Sequence, residues 1–385
     1  MANRPRILLA IAFYNGRAFV PRVLDSAKHI HSERADVDVL VLDDCSPEPG
    51  FSELLAKACA ERDIYYYRSP RNLGIVRNVN LGLLAAVKKD YDFVIISNSD
   101  VIYSKQVVDS LLETYASDPT IGSVTAWSNN VSIYSLPNAD PDFNLANQDV
   151  VDWLAASLAG NWRGAAVDVP AGISFCILIP TRVVREVGLM DPVFGRGYCE
   201  ETDWTLRSLA AGYRVALAPS AFVYHQGRGS TLAAGMVSGG HSTVPANEAV
   251  IDYRYPLFRS QVDAFVNGGI LTRLRTSAVL GILRDAGQQY GYEVDVSWLP
   301  GKQSDGGVRV VCTPNDLKPV IRAFFKGFEE EIPNDFGRPG DSIRRFFSAD
   351  PKAVSVRVRG TNSRSIADTF GVSAAPGCAS YPERV

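Results

Sequence analysis

Short apolar runs alternate with amphipathic stretches over the first hundred residues. The apolar runs predict β-strands, and the amphipathic stretches predict helices of about ten residues or more. The predicted strands are residues 7–12, 37–42, 65–67 and 93–97, and the predicted helices are residues 18–29, 51–60 and 75–88. This βαβ order indicates an α/β fold with a mainly parallel sheet, whose ligands bind beyond the carboxyl ends of the strands.

The pattern becomes irregular at residues 129–163, which are rich in Asn, Asp, Pro and Trp. Order returns with a predicted strand at residues 173–180, helices at residues 182–187 and 201–211, and a strand at residues 221–225. Residues 227–246 then carry Gly, Ser, Thr and Pro at a density typical of a mobile loop or linker. We expect this loop to act as a lid.

A second, smaller alternation follows in residues 256–385 and predicts a separate α/β or α+β domain. Its predicted elements are helices at residues 270–290 and 317–331 and strands at residues 293–298, 308–312 and 354–358. Phe324, Phe325 and Phe328 would lie on the second of these helices. An apolar helix face is more often core than a docking surface, so we expect these rings to be buried.

Charge and composition exclude several classes of protein. The 385 residues include 39 Lys and Arg against 42 Asp and Glu, a net charge of −3, so no basic surplus indicates a nucleic-acid partner. No apolar run approaches the roughly 18 residues of a membrane span, and the first residues lack the features of a secretory signal. The six cysteines are scattered without a C-x-x-C pair, so we expect reduced thiols in a cytoplasmic protein.

Candidate ligand-binding residues follow the first two predicted strands. Residues 12–16 (Ala-Phe-Tyr-Asn-Gly) form a turn after the first strand, and Asp43 and Asp44 follow the second. Two adjacent acids cannot both face a core, so at least one projects into the crevice, where it could accept a hydrogen bond from a base. The alternative is an Asx turn that caps the next helix.

Two further candidates concern negative charge. Arg77 lies in the first turn of the helix predicted for residues 75–88, where it marks either an anion site or a solvated surface. Asp100 follows a fully apolar strand in the sequence Asn98-Ser99-Asp100. A divalent ion that bridges this carboxylate to a diphosphate would offset the charge of a leaving group, whereas the alternative is a helix cap.

The acidic cluster of Glu200, Glu201 and Asp203 is the most informative block of the sequence. Like charges so close together are tolerated more readily for proton abstraction or metal binding than for structure. Asp203 and Arg207 stand at i,i+4 spacing, so we expect this pair to be structural. His225 at the end of the last strand could ligate a metal or could simply be packed. The Gly227-Arg228-Gly229 run lacks the third glycine of a dinucleotide fingerprint, because Leu232 stands there.

Taken in order, these blocks resemble the family 2 glycosyltransferases of the GT-A fold, in the branch of bacterial rhamnosyl- and galactofuranosyltransferases. The resemblance covers residues 5–232. It implies a Rossmann-like sheet with helices on both faces, and a catalytic domain at residues 1–255. Within that domain it implies nucleotide-sugar binding in residues 1–105 and the acceptor side and catalytic base in residues 125–232. Residues 256–385 match nothing that we can name.

The resemblance also assigns roles to individual residues. The Asp43-Asp44 pair looks like the family's Val-Asp-Asp-Gly-Ser motif, which implies that Asp43 contacts the nucleotide base. Asn98-Ser99-Asp100 occupies the place of the Asp-x-Asp metal motif without its first acid, which leaves Asp100 as a metal ligand. Glu200 and Glu201 resemble the family's Glu-Asp pair, which implies that Glu201 is the catalytic base. His225, with the following Gly229 and Ser230, resembles an ending in which the histidine completes the metal shell.

The resulting hypothesis is an inverting transferase that moves a sugar from a UDP- or dTDP-linked donor to a glycan or lipid-linked acceptor, with Mn²⁺ or Mg²⁺ as cofactor. We expect a role in bacterial polysaccharide or glycoconjugate synthesis, a location in the cytoplasm or at the cytosolic face of the membrane, and homo-oligomers formed through the C-terminal domain. The predicted donor-binding residues are Ala12, Phe13, Tyr14, Asp43, Asp44, Arg77, Asn98, Ser99, Asp100 and Arg228. Aromatic residues that could stack on an acceptor sugar are Trp127, Trp153, Trp162, Tyr198 and Trp204.

Two alternatives remain at this point. A sugar-1-phosphate nucleotidyltransferase would share the fold, but it needs a Gly-rich loop with a basic residue after the first strand, and residues 13–17 do not supply one. A catalytically inactive carbohydrate-binding subunit gains support from Asn98, which replaces the usual acid. The released product distinguishes the three hypotheses.

Overall fold

The computed structural model describes residues 4–137, 146–227, 237–238, 241–242, 244–296, 307–313, 320–334, 339–348 and 356–358. The chain forms two compact units, Met1–Leu271 and Thr272–Val385. The first unit contains a large sheet and the second a smaller one, so the α/β prediction with a second small domain is confirmed. The functional roles expected for residues 1–255 and 256–385 stay predictions.

The first unit alternates strands and helices from its start. Its strands are β1 (Arg6–Phe13), β2 (Asp36–Asp43), β3 (Tyr65–Arg68), β4 (Phe93–Asn98), β5 (Val101–Tyr103), β6 (Ile121–Trp127), β7 (Val167–Asp168), β8 (Cys176–Pro180), β9 (Arg214–His225), β10 (Val237–Ser238) and β11 (His241–Ser242). Its helices are α1 (Val20–His29), α2 (Phe51–Ala60), α3 (Ile75–Lys88), α4 (Val107–Ala116), α5 (Gln148–Trp162), α6 (Thr181–Val187), α7 (Glu200–Ala210), α8 (Val244–Arg254) and α9 (Phe258–Asn267).

The large sheet has the strand order β3-β2-β1-β4-β8-β6-β9-β5, and β7 pairs with β9. Strands β3, β2, β1 and β4 are parallel to one another, and β6 is parallel to β9. Strand β8 is antiparallel to β4 and β6, and β5 is antiparallel to β9. Ala12 pairs with Leu42 of β2 and with Asn98 of β4, so the carboxyl ends of these three strands lie side by side.

Strand β1 shows why the sheet is covered on both faces. All of its residues after Arg6 are buried, because successive side chains enter two different cores. Ile7, Leu9, Ile11 and Phe13 pack with side chains of α1, α2 and α4, whereas Leu8, Ala10 and Ala12 pack with side chains of α3, α6 and α7. A run of seven apolar positions is therefore typical of a central strand that is covered on both faces.

Helix α3 lies unusually close to the sheet. A Cβ atom on Gly82 would lie 2.7 Å from the Cβ of Ala10, which is closer than real side chains approach. The glycine therefore allows the helix to pack directly on β1. This close packing brings the amino end of α3 to the same sheet edge as the carboxyl ends of β1 and β2.

Several elements were missed in the sequence. The irregular region at residues 129–163 contains helix α5, which is capped by Asn147: its side chain accepts hydrogen bonds from the N–H groups of Asp149 and Val150 at 2.9 and 3.3 Å. Strands β5 and β6 and helix α4 also had no predicted counterpart. Most of the lid expected at residues 227–246 lies outside the described residues, and residues 244–246 form the start of helix α8.

The second unit is built on a five-stranded sheet in the order β15-β14-β13-β12-β16. Its elements are α10 (Ile270–Tyr290), β12 (Tyr292–Val296), β13 (Val308–Thr313), β14 (Val320–Phe325), β15 (Phe328–Glu331), α11 (Pro339–Phe347) and β16 (Val356–Val358). Helix α10 begins in the last two residues of the first unit. The helix predicted for residues 270–290 is confirmed, as are the three strands predicted in this part of the chain.

The helix predicted for residues 317–331 is wrong, because β14 and β15 form an antiparallel hairpin there. Lys326 and Gly327 connect the strands, and both have positive φ angles, of 45° and 84°. Two such residues in succession suit the turns that match the twist of a hairpin. Phe325 and Phe328 flank this turn and are buried, so the expectation that they belong to the core is confirmed, whereas Phe324 is only half-buried.

The described residues bear on two expectations from composition, namely the lack of a membrane span and the reduced state of the cysteines. Within that part of the chain, no helix has both the length and the hydropathy that crossing a membrane requires. Five cysteines are free thiols, namely Cys45, Cys59, Cys176, Cys199 and Cys312. Cys378 lies outside the described residues.

Candidate active site

A cleft of about 250 Å³ opens at the carboxyl ends of β1, β4 and β9. Its walls are formed by Ala12, Phe13, Tyr14, Asp44, Asn72, Gly74, Ile75, Asn78, Val79, Ile96, Asn98, Ser99, Val131, Ile173, Ser174, Phe175, Arg196, Tyr198, Glu200, Glu201 and His225. Ten of the residues singled out from the sequence stand in this wall. The position agrees with the expectation that ligands bind beyond the strand ends.

Asp43 lies beneath the cleft, fully buried and satisfied by the protein itself. Its carboxylate accepts hydrogen bonds from the hydroxyls of Ser46, Ser52 and Tyr66 at 2.7, 2.5 and 2.9 Å, and from the Ser46 N–H at 3.0 Å. Burial acts to raise the pKa of Asp43, but these hydrogen bonds outweigh it and the pKa is lowered. The structure therefore does not bring Asp43 to the cleft, where the sequence placed it.

Asp44 is the member of the pair that reaches the cleft. Its two oxygens accept the N–H groups of Leu73 and Gly74 at 2.7 and 2.9 Å, which ties the loop before α3 to the end of β2. Burial raises the pKa of this carboxyl group more than the two hydrogen bonds lower it. Of the two adjacent acids, Asp43 thus has a structural role and Asp44 faces the cleft.

Asp100 and His225 meet where β5 pairs with β9. Asp100 is 3% exposed, and neither of its oxygens accepts a hydrogen bond from the described residues. The His225 Nε2 atom lies 3.3 Å from Asp100 Oδ1, a contact that is an ion pair only when the imidazole is protonated. The Asn98 amide nitrogen is 3.4 Å from the same Nε2 atom.

The orientation of the His225 ring is fixed by its neighbours. Nδ1 lies 2.9 Å from the carbonyl oxygen of Asn130, which can only accept, so Nδ1 carries a proton. The Asn129 side chain bonds the backbone of His225 at both its N–H and its C=O, and the Phe175 ring stacks on the imidazole. Burial acts to lower the pKa of His225, but the Asp100 carboxylate and the Asn130 carbonyl raise it above the ordinary value.

This donor set suits a divalent cation that is completed by ligand oxygens. A neutral His225 with its proton on Nδ1 presents the Nε2 lone pair toward Asp100, whose carboxylate lacks other partners. Within the described residues no group of three His, Cys, Asp or Glu side chains could hold a metal. Asp100 and His225 would therefore supply two ligands, and a bound ion would take its other ligands from the substrate or solvent.

Glu200 and Glu201 begin helix α7 and line the cleft. Each has one carboxylate oxygen, Oε2, that is buried and without a hydrogen bond among the described residues. Burial, together with the charge of Glu201, raises the pKa of Glu200 to about 8, and burial also raises the pKa of Glu201. A carboxyl group with a raised pKa is suited to accept a proton near neutral pH.

Asp203 has the structural role expected from the sequence. Its carboxylate accepts a hydrogen bond from Arg207 Nε at 2.9 Å, which confirms the predicted i,i+4 pair. Arg254 and the Tyr255 hydroxyl donate to its other oxygen at 2.7 and 2.9 Å. Both carboxylate oxygens of Asp203 are therefore occupied by hydrogen bonds, whereas Glu200 and Glu201 each keep one oxygen without a hydrogen bond among the described residues.

The remaining predicted residues divide into those within and those away from the cleft. Tyr198 lines it, but Trp127 and Trp204 are fully buried and so cannot stack on an acceptor. The indole N–H of Trp204 donates to the Gly188 carbonyl at 2.8 Å. Trp153, Trp162 and Arg77 are not in its wall, and Arg77 is exposed. Arg228, Gly229 and Ser230 lie outside the described residues.

Sequence reasoning missed several residues of the cleft. Arg196 is the one Lys or Arg side chain in the described wall, and the flanking Gly195 and Gly197 were the available signal. Asn78 donates to the Leu42 carbonyl at 3.0 Å, which leaves its Oδ1 atom buried and without a donor among the described residues. Asn130 and Phe175 act through His225, and only the fold brings them to it.

The model of the family described as Glycosyl transferase family 2 matches residues 9–169. Residues 9–169 thus match the family that the sequence motifs resemble. No curated protein matches the chain. The rhamnosyl and galactofuranosyl branch expected from the motifs stays a prediction.

Two solved structures are similar to the chain. One is a crystal structure of GalNAc-T7 with UDP, GalNAc and Mn²⁺, with 14% identity and a TM-score of 0.49 over 66% of this chain and 48% of that one. The other is the mannosyltransferase PcManGT from Pyrobaculum calidifontis in complex with GDP-Man and Mn²⁺, with 16% identity and a TM-score of 0.43 over 72% of this chain and 75% of that one. The chain thus spans about half the length of the GalNAc-T7 chain.

Proposed function

We propose that this chain is an inverting glycosyltransferase that moves a sugar from a nucleotide-diphosphate donor to a hydroxyl group of a glycan or lipid-linked acceptor. One observation carries the proposal. A single cleft is lined by the carboxylates of Glu200 and Glu201, each with one buried oxygen that has no hydrogen bond among the described residues, and by the His225 side chain, which is backed by Asp100. Proton abstraction and stabilisation of a diphosphate need these two kinds of group at one site.

Glu201 is the proposed base. Its carboxylate takes the proton of the acceptor hydroxyl, and the oxygen forms a bond to the anomeric carbon as the bond from that carbon to the diphosphate oxygen breaks. Attack from the face opposite the diphosphate inverts the anomeric configuration. Glu200 beside it disfavours two negative charges, which raises the proton affinity of the pair. The proton rests on Glu201 until it is released to solvent.

A second group of residues, Asp100, His225 and Arg196, would stabilise the negative charge of the leaving group. A Mn²⁺ or Mg²⁺ ion held by Asp100 and His225 would neutralise charge on the departing diphosphate. Arg196, in the loop before α7, also lines the cleft without an ion pair to the described residues, so it would add a permanent positive charge to the site. The protein's own contribution is thus a preorganised cluster of charges rather than a covalent step.

The base-binding end of the donor site is assigned to Asp44 instead of Asp43. Asp44 stands at the cleft while Asp43 is enclosed by hydroxyl donors. A carboxylate accepts the ring N–H of uracil or thymine, which supports a UDP- or dTDP-linked donor. Ala12, Phe13 and Tyr14 from the end of β1 line the same region and would pack against the nucleoside.

A panel of nucleotide sugars tests the proposal directly. Purified protein is incubated with UDP-, dTDP- and GDP-linked sugars and a mixture of glycan acceptors, with and without Mn²⁺, and nucleoside diphosphate release is measured. Acceptor-dependent release that is absent from Glu201→Gln supports the transferase. Release of pyrophosphate from a nucleoside triphosphate and a sugar phosphate indicates a nucleotidyltransferase instead. Glycan binding without any release indicates an inactive subunit.

A further inference from the structure

The loop that leads into Glu200 and Glu201 is held by a residue from a distant helix. Asn247 of α8 is 7% exposed, and its amide nitrogen donates to the carbonyl oxygens of Phe194, Gly197 and Tyr198 at 3.0, 2.7 and 2.9 Å. One side-chain amide therefore reaches three backbone carbonyls within five consecutive residues. A buried amide with three such acceptors fixes a loop far more firmly than a surface contact would.

The backbone of this loop needs such a restraint. Gly195, Gly197, Tyr198 and Cys199 all have positive φ angles, of 59°, 116°, 72° and 73°. Positive φ costs a residue with a side chain of order 1 kcal/mol or more, and Tyr198 and Cys199 adopt it in succession. Cys199 is also the residue before the first turn of α7, so its conformation sets the direction in which Glu200 and Glu201 leave the loop.

Helix α8 is also attached to α7 itself. Arg254 Nη1 lies 2.7 Å from Asp203 Oδ1, and Arg254 Nη2 lies 2.8 Å from Asp191 Oδ2 on the other side of the loop. Helix α8 is thus anchored at one end to the α7 helix and at its centre to the catalytic loop. Its residues lie outside the part of the chain that matches the family, which ends at residue 169.

We propose that Asn247 is a positioning residue, which holds the loop at residues 194–199 so that Glu201 faces the acceptor hydroxyl. This inference rests on the proposed function, because it assigns Asn247 to the same reaction. Asn247 does not line the cleft and acts only through the backbone of the loop. Misplacing a catalytic group by about 1 Å can cost as much as about 100-fold in rate, so a small relaxation of the loop is sufficient to be measured.

The steady-state constants should change unequally. The proposed base-binding residue Asp44 is held by the loop before α3 and makes no hydrogen bond with Asn247. Release of the catalytic loop should therefore lower kcat by more than it raises the donor KM, because Arg196 is the one group of the proposed donor site that lies in this loop. A purely structural residue would instead lower the amount of folded enzyme, which leaves the kcat of the folded fraction unchanged.

Asn80 of α3 provides a matched control. It is 6% exposed, its amide donates to the Met190 carbonyl at 2.9 Å, and it accepts the Met190 N–H at 3.0 Å. It thus anchors the same connection between α6 and α7, but before the residues with positive φ. Asn80→Asp and Asn247→Asp remove the same amide donor at two equally buried sites.

The experiment compares both variants with the wild-type chain. For Asn247→Asp we expect kcat to fall at least about 10-fold with donor KM within about 3-fold, and the amides of residues 194–201 to exchange hydrogen faster. For Asn80→Asp we expect kcat per folded molecule within about 2-fold of wild type. Unchanged kcat in Asn247→Asp, an equal loss of kcat in Asn80→Asp, or unchanged exchange of residues 194–201 would overturn the proposal.

Two further measurements distinguish failure of this proposal from misfolding of the variant and from failure of the proposed function. If Asn247→Asp does not fold, Asn247→Ala removes the donor without adding a charge and takes its place under the same expectations. If the wild-type chain turns over no donor, the proposed function fails, and hydrogen exchange in Asn247→Ala still decides whether Asn247 restrains the loop. Slower or unchanged exchange at residues 194–201 then counts against the restraint.

Discussion

His225 Nε2 lies 3.3 Å from Asp100 Oδ1, at the point where the end of β9 pairs with the start of β5. The two residues are distant in the sequence, and the register Val101 to His225 brings them together. The proton on Nδ1 is fixed by the Asn130 carbonyl, so the two side chains converge with a lone pair and a carboxylate. This geometry is the basis of the proposed metal site.

Removal of either member of this pair should impair metal use. We expect Asp100→Asn or His225→Ala to raise the Mn²⁺ concentration for half-maximal activity at least about 10-fold, because each variant loses one of only two protein ligands. Titration of metal-depleted enzyme with Mn²⁺ measures the effect. His29→Ala is the matched control, since His29 Nε2 lies 2.7 Å from Asp152 Oδ2 in an ion pair away from the cleft. A wild-type titration curve in His225→Ala would contradict the assignment.

Replacement of Glu201 by Gln should reduce kcat about 100-fold or more, because the amide cannot accept the acceptor proton. The donor KM should change little, since Asp44 and the end of β1 hold the donor at the other side of the cleft. Nucleoside diphosphate release in the presence of acceptor is the readout. Glu200→Gln keeps the proposed base and should lose less activity, so the reverse ranking of the two variants would reassign the base.

Activity and stability should have opposite pH dependences near neutrality. The folded-state pKa of Glu200, about 8, lies above the ordinary value of 4.5, so its protonated form stabilises the fold. This stabilisation is complete below about 4.5 and is lost as the pH rises through about 8. The pKa of the proposed base, Glu201, is also raised, so its carboxylate form becomes available only above the ordinary carboxyl range.

Thermal unfolding midpoints and initial rates, measured across one series of buffers, test this relation. We expect the unfolding midpoint to fall and kcat to rise as the pH increases toward about 8. Glu200→Gln should flatten the decline of the midpoint, because it removes the titrating group. A midpoint that rises together with kcat across this range would show that the carboxyl pair is not destabilised by its burial.

Substitutions of Asp43 and Asp44 should have different effects: the first should mainly reduce stability, and the second should mainly weaken donor binding. Asp43→Asn should lower the free energy of unfolding by about 1–3 kcal/mol, because it places an amide nitrogen among hydroxyls that now donate to a buried carboxylate. Asp44→Asn should raise the donor KM about 10-fold with a smaller effect on unfolding. Urea denaturation and donor saturation curves of both variants provide the comparison, and a raised KM in folded Asp43→Asn would restore the original assignment of the base contact.

Local patterns were sufficient for much of the fold. The helix at residues 75–88 and strands β1 to β4 were predicted correctly. Each of these segments carries its own pattern of apolar residues, so no information about its partners was needed. The hairpin of β14 and β15 was missed because its rings, Phe324, Phe325 and Phe328, also satisfy helical spacing. The partner strand β13 decides between the two, and a single segment contains no information about its partner.

The candidate site, like the fold, was predicted from the sequence only in part. The sequence by itself determined that acids and a histidine follow particular strands, because a chain in a parallel sheet presents those residues at one edge. Only the tertiary structure decided that Asp44 and not Asp43 reaches the cleft, that Trp127 and Trp204 are core, and that Arg196 and Asn247 belong to the neighbourhood of Glu201. These outcomes depend on which hydrogen-bond partners and neighbouring side chains meet each residue, and those contacts join segments that are remote in the chain.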